Sequence, residues 1–157
     1  AHAVTGVQPC ALPLCLIHTP SVSGISGTAG QTNYGAAKAG IASFSVIASR
    51  ELARYGVTVN CIAPGALTRL TEDLMPGEIT DEMREKQSPR WIAPIVTWLA
   101  SRDSRDVTGR VFESSGGVLA IAEGWHRGPS VEPVADPTIL GPIVRKLVSE
   151  ADRKSVV

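Results

Sequence analysis

The sequence predicts an α/β fold built on a parallel β-sheet. Short apolar or β-branched runs alternate along the chain with longer segments in which apolar residues recur at helical spacing. The resulting order of strand, helix, strand, helix and strand is typical of units in which a helix connects two parallel strands. With 157 residues, 43% of them hydrophobic, the chain is long enough to bury the core of one such domain.

The first predicted strand and helix lie in the N-terminal third of the chain. Residues 14–19 form an apolar run that is consistent with a buried parallel strand, and the Ser- and Gly-rich residues 21–30 predict a loop after it. Small and apolar residues at helical spacing predict a long helix over 33–54. Gly56 stands where helices commonly end, so we expect the helix to stop just before it.

The remaining elements are shorter. We expect the amphipathic helix among them to bury Trp98 together with its aliphatic side chains. The predicted elements are a strand over 57–62 ended by Pro64 and Gly65, two short helices within 66–88, the amphipathic helix over 91–101, a strand over 109–114, and a final helix over 138–151 after an irregular tail.

The composition excludes several classes of function. The formal net charge is zero, so the chain lacks the basic surface of a nucleic-acid-binding protein. Its apolar runs are too short to span a membrane. The three cysteines, Cys10, Cys15 and Cys61, and the scattered histidines have no metal-ligand spacing, so we expect no metal site. An odd number of cysteines favours a cytoplasmic, reducing setting.

One spacing carries acid–base chemistry. Tyr34 and Lys38 stand four residues apart near the predicted helix start, so they lie on one face, one turn apart. An ammonium near a phenol stabilises the phenolate, which makes tyrosine a better acid–base group near neutral pH. Ser21, on the preceding loop, could hydrogen-bond a substrate carbonyl and hold it against the Tyr34 oxygen.

Three motifs in register extend this pair to a family resemblance. Residues 30–40, GQTNYGAAKAG, resemble the active-site helix of the classical short-chain dehydrogenases/reductases. Residues 57–65, VTVNCIAPG, resemble the next strand of that family and its Pro-Gly turn, and the interval from Ser21 to Tyr34 also matches. The resemblance implies a nicotinamide-dependent oxidoreductase. In it Tyr34 exchanges a proton with the substrate oxygen and Ser21 orients the carbonyl.

The resemblance also implies how the cofactor, NAD or NADP, is held. Lys38 would hydrogen-bond the nicotinamide ribose beside Tyr34. Pro64 and Gly65 would lie along the nicotinamide, and Leu67 and Thr68 would reach its carboxamide. The segment from about residue 69 to residue 88 would be the substrate lid of the family.

The Gly-rich fingerprint that receives the cofactor pyrophosphate precedes this region in the family. The resemblance therefore implies that the fold is the C-terminal half of a Rossmann-like doubly wound parallel sheet, with the N-terminal dinucleotide-binding half absent. Gly24, Gly27 and Gly30 have a similar rhythm, but they lie in the loop before Tyr34 and are discounted as a phosphate site. We expect the isolated fragment to be poorly active.

Both ends of the chain resemble a sequencing adapter rather than protein. Residues 4–14 differ at two positions from VTGVQTCALPI, a reading frame of a common adapter, and residues 152–157 match DRKSVV from its other arm. We therefore expect residues 1–14 and 152–157 to be adapter-derived artefacts. Residues 15–151 would be the half-domain itself.

The C-terminal region gives an indication of substrate. Residues 91–99, 109–113 and 123–125 resemble the (3R)-hydroxyacyl-CoA dehydrogenase module of peroxisomal multifunctional enzymes and their bacterial relatives, although residues 114–115 are Ser-Ser where Val-Gly is frequent. This implies lipid metabolism and a 3-hydroxyacyl or 3-oxoacyl thioester substrate. A 3-oxoacyl carrier-protein reductase and a hydroxysteroid dehydrogenase are alternatives.

Two other readings concern class and assembly. A non-catalytic binding or scaffold protein of the same fold stays open as a different class of function. The family usually forms homodimers or homotetramers, so the resemblance implies an oligomer. His18 stands where many relatives have Asn, and we interpret it as structural rather than as a general base.

Overall fold

The computed structural model describes residues 14–72 and 77–151, in two compact parts that end and begin at Ala122 and Glu123. The segments predicted to derive from an adapter lie outside the described residues, except Leu14. The helices and strands are β1 (Cys15–His18), α1 (Val22–Ile25), α2 (Thr32–Leu52), β2 (Thr58–Gly65), α3 (Arg69–Glu72), α4 (Asp81–Lys86), α5 (Ala93–Leu99), β3 (Val111–Ser115), β4 (Leu119–Ala122) and α6 (Leu140–Glu150).

The described strands form one sheet in the order β1-β2-β3-β4. Strands β1, β2 and β3 are parallel, which confirms the predicted α/β architecture. Strand β4 runs antiparallel to β3, where an irregular tail was predicted. Gly116 and Gly117 reverse the chain between them, and the Ser115 amide donates to the Val118 carbonyl at 2.9 Å. A Gly-Gly pair between apolar runs is itself a hairpin signal, so the missed strand was visible in the sequence.

Strand β2 is the buried centre of the sheet. Val59, Cys61, Ile62 and Ala63 are at most 2% exposed, and such a continuous buried run is typical of a parallel strand covered on both faces. Asn60, inside this run, is satisfied by hydrogen bonds to the loop before β3 (Nδ2 to the Val107 carbonyl at 2.8 Å, Oδ1 from the Arg110 amide at 3.1 Å). A buried amide that makes such bonds fixes the loop without an unpaired polar group.

The long helix agrees with its prediction. Helix α2 ends at Leu52 and continues as a 3₁₀ turn, Ala53–Tyr55, before Gly56 adopts a left-handed φ of 69°. Glycine takes this conformation without the steric penalty of a side chain, which explains the stop. The predicted loop 21–30 was partly wrong, because it contains the four-residue helix α1.

The core lies between the sheet and α5. Ile62, Ile95, Leu99 and Phe112 form its buried cluster. Trp98 was predicted to be buried and is 41% exposed. Each helical residue turns by roughly 100°, which places Trp98 on the flank of the stripe that Ile95 and Leu99 direct at the sheet.

The C-terminal part, residues 123–151, contains the predicted final helix. A 3₁₀ turn, Pro137–Ile139, leads into α6. Asp136 caps this turn by accepting hydrogen bonds from the Thr138 amide at 2.8 Å and the Thr138 hydroxyl at 2.7 Å, and these bonds lower the pKa of its carboxyl. Within the described residues, no helix has both the length and the apolar character needed to cross a membrane.

Truncation of the core tests this account of stability. We expect Leu99→Ala to lower the free energy of unfolding by about 2–5 kcal/mol, because Leu99 is 1% exposed and the lost contacts leave a cavity. Leu119→Ala, the same change at a side chain that is 63% exposed, should cost less than about 0.5 kcal/mol. Urea unfolding of both variants measures the difference, and equal losses would contradict the assigned core.

Candidate active site

The predicted site residues gather at one edge of the sheet. Strands β1 and β2 are parallel and His18 pairs with Cys61, so the chain leaves both strands in the same direction. Ser21 follows β1. The prediction that Pro64 and Gly65 form a turn after the strand was wrong, because both belong to β2 and pair with Ser114 and Ser115 of β3. This edge, outside the carboxyl ends of parallel strands, is where α/β sheets bind their ligands.

Ser21 is fixed by the start of α1. Its backbone is extended (φ −155°, ψ 154°) and its Oγ accepts a hydrogen bond from the Ser23 amide at 3.2 Å, as an N-cap residue does. In that bond the hydroxyl acts only as an acceptor. Its proton therefore remains available for donation to a ligand oxygen.

Two glycines bring α1 onto the first turns of α2. A Cβ built on Gly24 would lie 2.5 Å from the Ala39 amide nitrogen and 2.7 Å from the Lys38 carbonyl carbon. A Cβ on Gly35 would lie 3.0 Å from the Ser23 carbonyl oxygen. The missing side chains thus permit a contact between the two backbones. Helix packing, rather than phosphate binding, is the role that the structure shows for Gly24.

Lys38 and Tyr34 meet at the start of α2. The Lys38 Nζ lies 5.6 Å from the centre of the Tyr34 ring, within the range of a cation–π contact. The same Nζ donates to the Thr19 carbonyl, two residues before Ser21, at 2.9 Å. Because an ammonium has three donors, two remain for a ligand. The Tyr34 side chain is 45% exposed, so the phenol is accessible.

The four residues predicted to contact the nicotinamide differ in their exposure. Pro64 and Gly65 are exposed at the sheet edge. Leu67 is 7% exposed and its amide donates to the Gln87 carbonyl at 2.7 Å. The Thr68 carbonyl accepts from the Thr71 amide at 2.8 Å, so Thr68 begins α3. The contacts of Leu67 and Thr68 with a carboxamide stay predictions.

A cavity opens beside Gly65, at the end of β2. It has a volume of about 430 Å³ and lies between the ends of β2 and β3 and helix α4, with Gly65, Lys86 and Ser115 among its lining residues. This volume is within the range of small-molecule sites. The predicted lid segment forms one wall of it. Ser115, at the end of β3, brings a side chain to another wall.

Helix α4 is held in place by contacts that the sequence did not reveal. The Trp91 indole Nε1 donates to the Glu85 carbonyl at 2.9 Å, and Arg84 forms an ion pair with Glu72. A Cβ on Gly116 would collide with the Lys86 carbonyl, so glycine is needed where the hairpin passes α4. The Gly-Gly pair is visible in the sequence, but its contact with α4 is not predictable from spacing.

Other chemistry in the described ranges is limited. Within residues 14–72 and 77–151, no group of three or more His, Cys, Asp or Glu side chains could hold a metal ion. Burial raises the pKa of the Cys61 thiol, and a side-chain hydrogen bond between Cys61 and Ser45 has the smaller, opposite effect. The neutral thiol is a poor nucleophile. The acid–base groups at the sheet edge are thus the chemically competent set.

Comparison with known proteins agrees with this arrangement. A family model described as enoyl-(acyl carrier protein) reductase matches residues 14–119. The chain is 46% identical to a short chain dehydrogenase from Mycobacterium avium of known crystal structure, with a TM-score of 0.74 over 88% of this chain and 46% of that one. The chain belongs to the short-chain dehydrogenase/reductase family. The predicted family and fold class are therefore confirmed.

Two curated relatives extend the comparison. The chain is 35% identical over 132 residues to the peroxisomal hydratase-dehydrogenase-epimerase of Neurospora crassa, which covers 83% of this chain and 14% of that protein. It is 37% identical over 109 residues to the (3R)-3-hydroxyacyl-CoA dehydrogenase of Canis lupus familiaris, covering 66% and 42%. The chain thus spans less than half the length of these relatives.

The contact between α1 and α2 gives a test of site geometry. We expect Gly24→Ala to destabilise the chain by about 1–3 kcal/mol, because the added methyl group forces the two backbones apart. Gly40→Ala, in the same helix pair but with open space around its Cβ position, should instead stabilise by up to about 1 kcal/mol. Urea unfolding of both variants decides, and a neutral Gly24→Ala would contradict the close approach.

Proposed function

We propose that this chain is the proton-transferring half of an NAD- or NADP-dependent oxidoreductase that interconverts a secondary alcohol and a ketone. The observation that carries the proposal is the placement of Ser21, Tyr34 and Lys38 at the sheet edge where β2 ends with Pro64 and Gly65. In a family of dehydrogenases and reductases, this set has the donors and the acid–base group that the reaction requires.

In the reducing direction, the substrate carbonyl is held by the Ser21 hydroxyl and faces the Tyr34 phenol. When bound, a nicotinamide cofactor would supply the hydride that the carbonyl carbon receives. The C=O π bond breaks as the Tyr34 hydroxyl transfers its proton to the oxygen, and the alcohol is formed. Lys38 stabilises the phenolate left on Tyr34 through its nearby positive charge. Oxidation of the alcohol runs through the same residues in reverse.

The described residues fit the nicotinamide end of such a cofactor. Lys38 retains two donors for ribose hydroxyls, and Pro64 and Gly65 are exposed at the end of β2, at the same edge of the sheet. The Leu67 amide is already engaged by Gln87, so Leu67 would reach the carboxamide only after that bond breaks. The choice between NAD and NADP depends on residues other than these.

We propose a 3-hydroxyacyl or 3-oxoacyl thioester as the substrate, in lipid metabolism. Two observations support this class: a relative named for (3R)-3-hydroxyacyl-CoA, and the cavity beside Gly65, whose lining includes the cationic Lys86. The matched family model is described by an acyl carrier protein, which favours the carrier-protein reductase as the second candidate. Parallel assays with coenzyme A and carrier-protein thioesters distinguish them.

We further propose a homodimer or homotetramer in a reducing, cytoplasmic setting. Phe44 and Ile47 on α2 are 60% and 52% exposed, which leaves apolar surface on the helix that carries Tyr34. An interface there would remove that surface from water. The described cysteines, Cys15 and Cys61, are both free thiols.

The role of Tyr34 is tested by removing one oxygen. In the gene product that carries this chain with its upstream coding sequence, Tyr34→Phe should lower kcat by roughly a hundredfold or more, because the general acid is lost. Tyr55→Phe, the same change at an exposed ring outside the site, should leave kcat unchanged. Absorbance of the reduced nicotinamide follows turnover. Unchanged turnover in Tyr34→Phe would favour the scaffold reading or another mechanism.

A titration tests whether this chain alone can bind the dinucleotide cofactor. We expect the isolated chain to show no micromolar binding of NADH or NADPH by calorimetry, because the residues proposed to bind the cofactor would contact only its nicotinamide end. The pyrophosphate in dinucleotide folds is received by a Gly-rich turn between a first strand and its helix, whereas Gly27 and Gly30 follow helix α1 and lead into the helix that carries Tyr34. The longer gene product is the positive control. Micromolar binding with turnover by the chain alone would overturn the half-site proposal.

A further inference from the structure

Besides the bond from Lys38 to Thr19, a hydrogen bond between His18 and Ser45 joins β1 to α2. His18, the last residue of β1, places its Nδ1 2.8 Å from the Ser45 Oγ of α2. Ser45 is 0% exposed, and the His18 ring also lies against Phe44 with 5.5 Å between ring centres. Ser45 lies seven residues after Lys38 on α2, which is two turns along the same helix face.

The direction of this bond follows from the partners of Ser45. The Ser45 hydroxyl donates its one proton to the Ile41 carbonyl, four residues earlier, at 2.7 Å. With its proton on the Ile41 carbonyl, the Ser45 Oγ can only accept from His18, and Nδ1 then carries a proton. In this arrangement a neutral His18 is the Nδ1–H tautomer, the less favoured one for a free imidazole ring.

The same bond fixes the residue that holds Lys38. Thr19 follows His18 directly, and its carbonyl is the acceptor for Lys38 Nζ at 2.9 Å. Two hydrogen bonds therefore join α2 to the end of β1. One is between Ser45 and His18, and the other is between Lys38 and Thr19. If the hydrogen bond between His18 and Ser45 is lost, the Thr19 carbonyl can move relative to α2. The Lys38 ammonium that it binds then moves with it.

We propose that His18 is a positioning residue for Lys38, acting through the Nδ1–H bond to Ser45 and the Thr19 carbonyl. The proposal deepens the proposed function and rests on it, because Lys38 matters only if Tyr34 is the acid. It also accounts for a buried serine inside a helix, where a hydroxyl needs a reason to be tolerated.

The chain offers a conservative replacement. In Asn, Nδ2 is separated from Cα by the same number of bonds as Nδ1 in His, so His18→Asn keeps a donor at that position. His18→Leu fills a similar volume and donates nothing. The pair of variants separates the hydrogen bond from packing against Phe44.

The bond itself is tested by nitrogen-15 NMR of the histidine rings at a pH where they are neutral. We expect His18 to show the Nδ1–H tautomer and His126, an exposed histidine, to show the Nε2–H tautomer. Ser45→Ala should convert His18 to the pattern of His126. A His18 that shows Nε2–H in the unmodified chain overturns the proposal without reference to activity.

The positioning role is tested by kinetics in the longer gene product. We expect His18→Leu to lower kcat by roughly tenfold to a hundredfold with KM nearly unchanged, as for a misplaced catalytic group. His18→Asn should restore most of the loss, and His126→Leu should have no effect. In a Lys38→Ala background, His18→Leu should cause no further loss, because the two residues act through one path.

The outcomes separate this proposal from the one on which it rests. If Tyr34→Phe retains full turnover, the proposed function fails. If Tyr34→Phe is inactive but His18→Leu lowers kcat equally with and without Lys38, then His18 does not act through Lys38 and the positioning proposal alone fails. A His18→Leu enzyme with unchanged kcat also overturns it.

Discussion

The parallel pairing of β1 with the buried strand β2 is the constraint on which the site depends. Because the two strands run in the same direction, the residues after His18 and the end of β2 at Pro64 and Gly65 lie at the same edge of the sheet. Burial of β2 on both faces fixes this register, since a shift would expose apolar side chains and unpair Asn60. The position of the acid–base residues relative to the end of β2 thus follows from core packing.

The second determinant is the approach of α1 to α2. Helix α1, which begins after Ser21, packs against the first turns of α2 because Gly24 and Gly35 have no side chains to hold the two backbones apart. The cap at Ser21 then fixes its backbone while leaving its proton free. The position of Ser21 relative to α2 therefore depends on how closely the two backbones can approach. The spacing of thirteen residues between Ser21 and Tyr34 does not predict this approach.

The sequence predicted the fold class, the parallel strands, the long helix and the set of residues at the sheet edge, because these depend on periodicity and on a local motif. It did not predict α1 or the exposure of Trp98, since both depend on which neighbours pack nearby. The hairpin to β4 carried its signal in Gly116 and Gly117 and was overlooked. The burial of Leu67 follows from its bond to a residue twenty positions away.

The hydrogen bond between His18 and Ser45 shows why a site cannot be read from its reacting groups alone. Neither residue belongs to the motif that revealed Tyr34 and Lys38, and an isolated histidine at a strand end carries no pattern. Its meaning comes from three bonds in sequence, from Ser45 to Ile41, from His18 to Ser45, and from Lys38 to the carbonyl after His18. Because Thr19 follows His18 directly, the bond from His18 to Ser45 and the bond from Lys38 to the Thr19 carbonyl join the same two elements, which is the connection that the proposed positioning role uses.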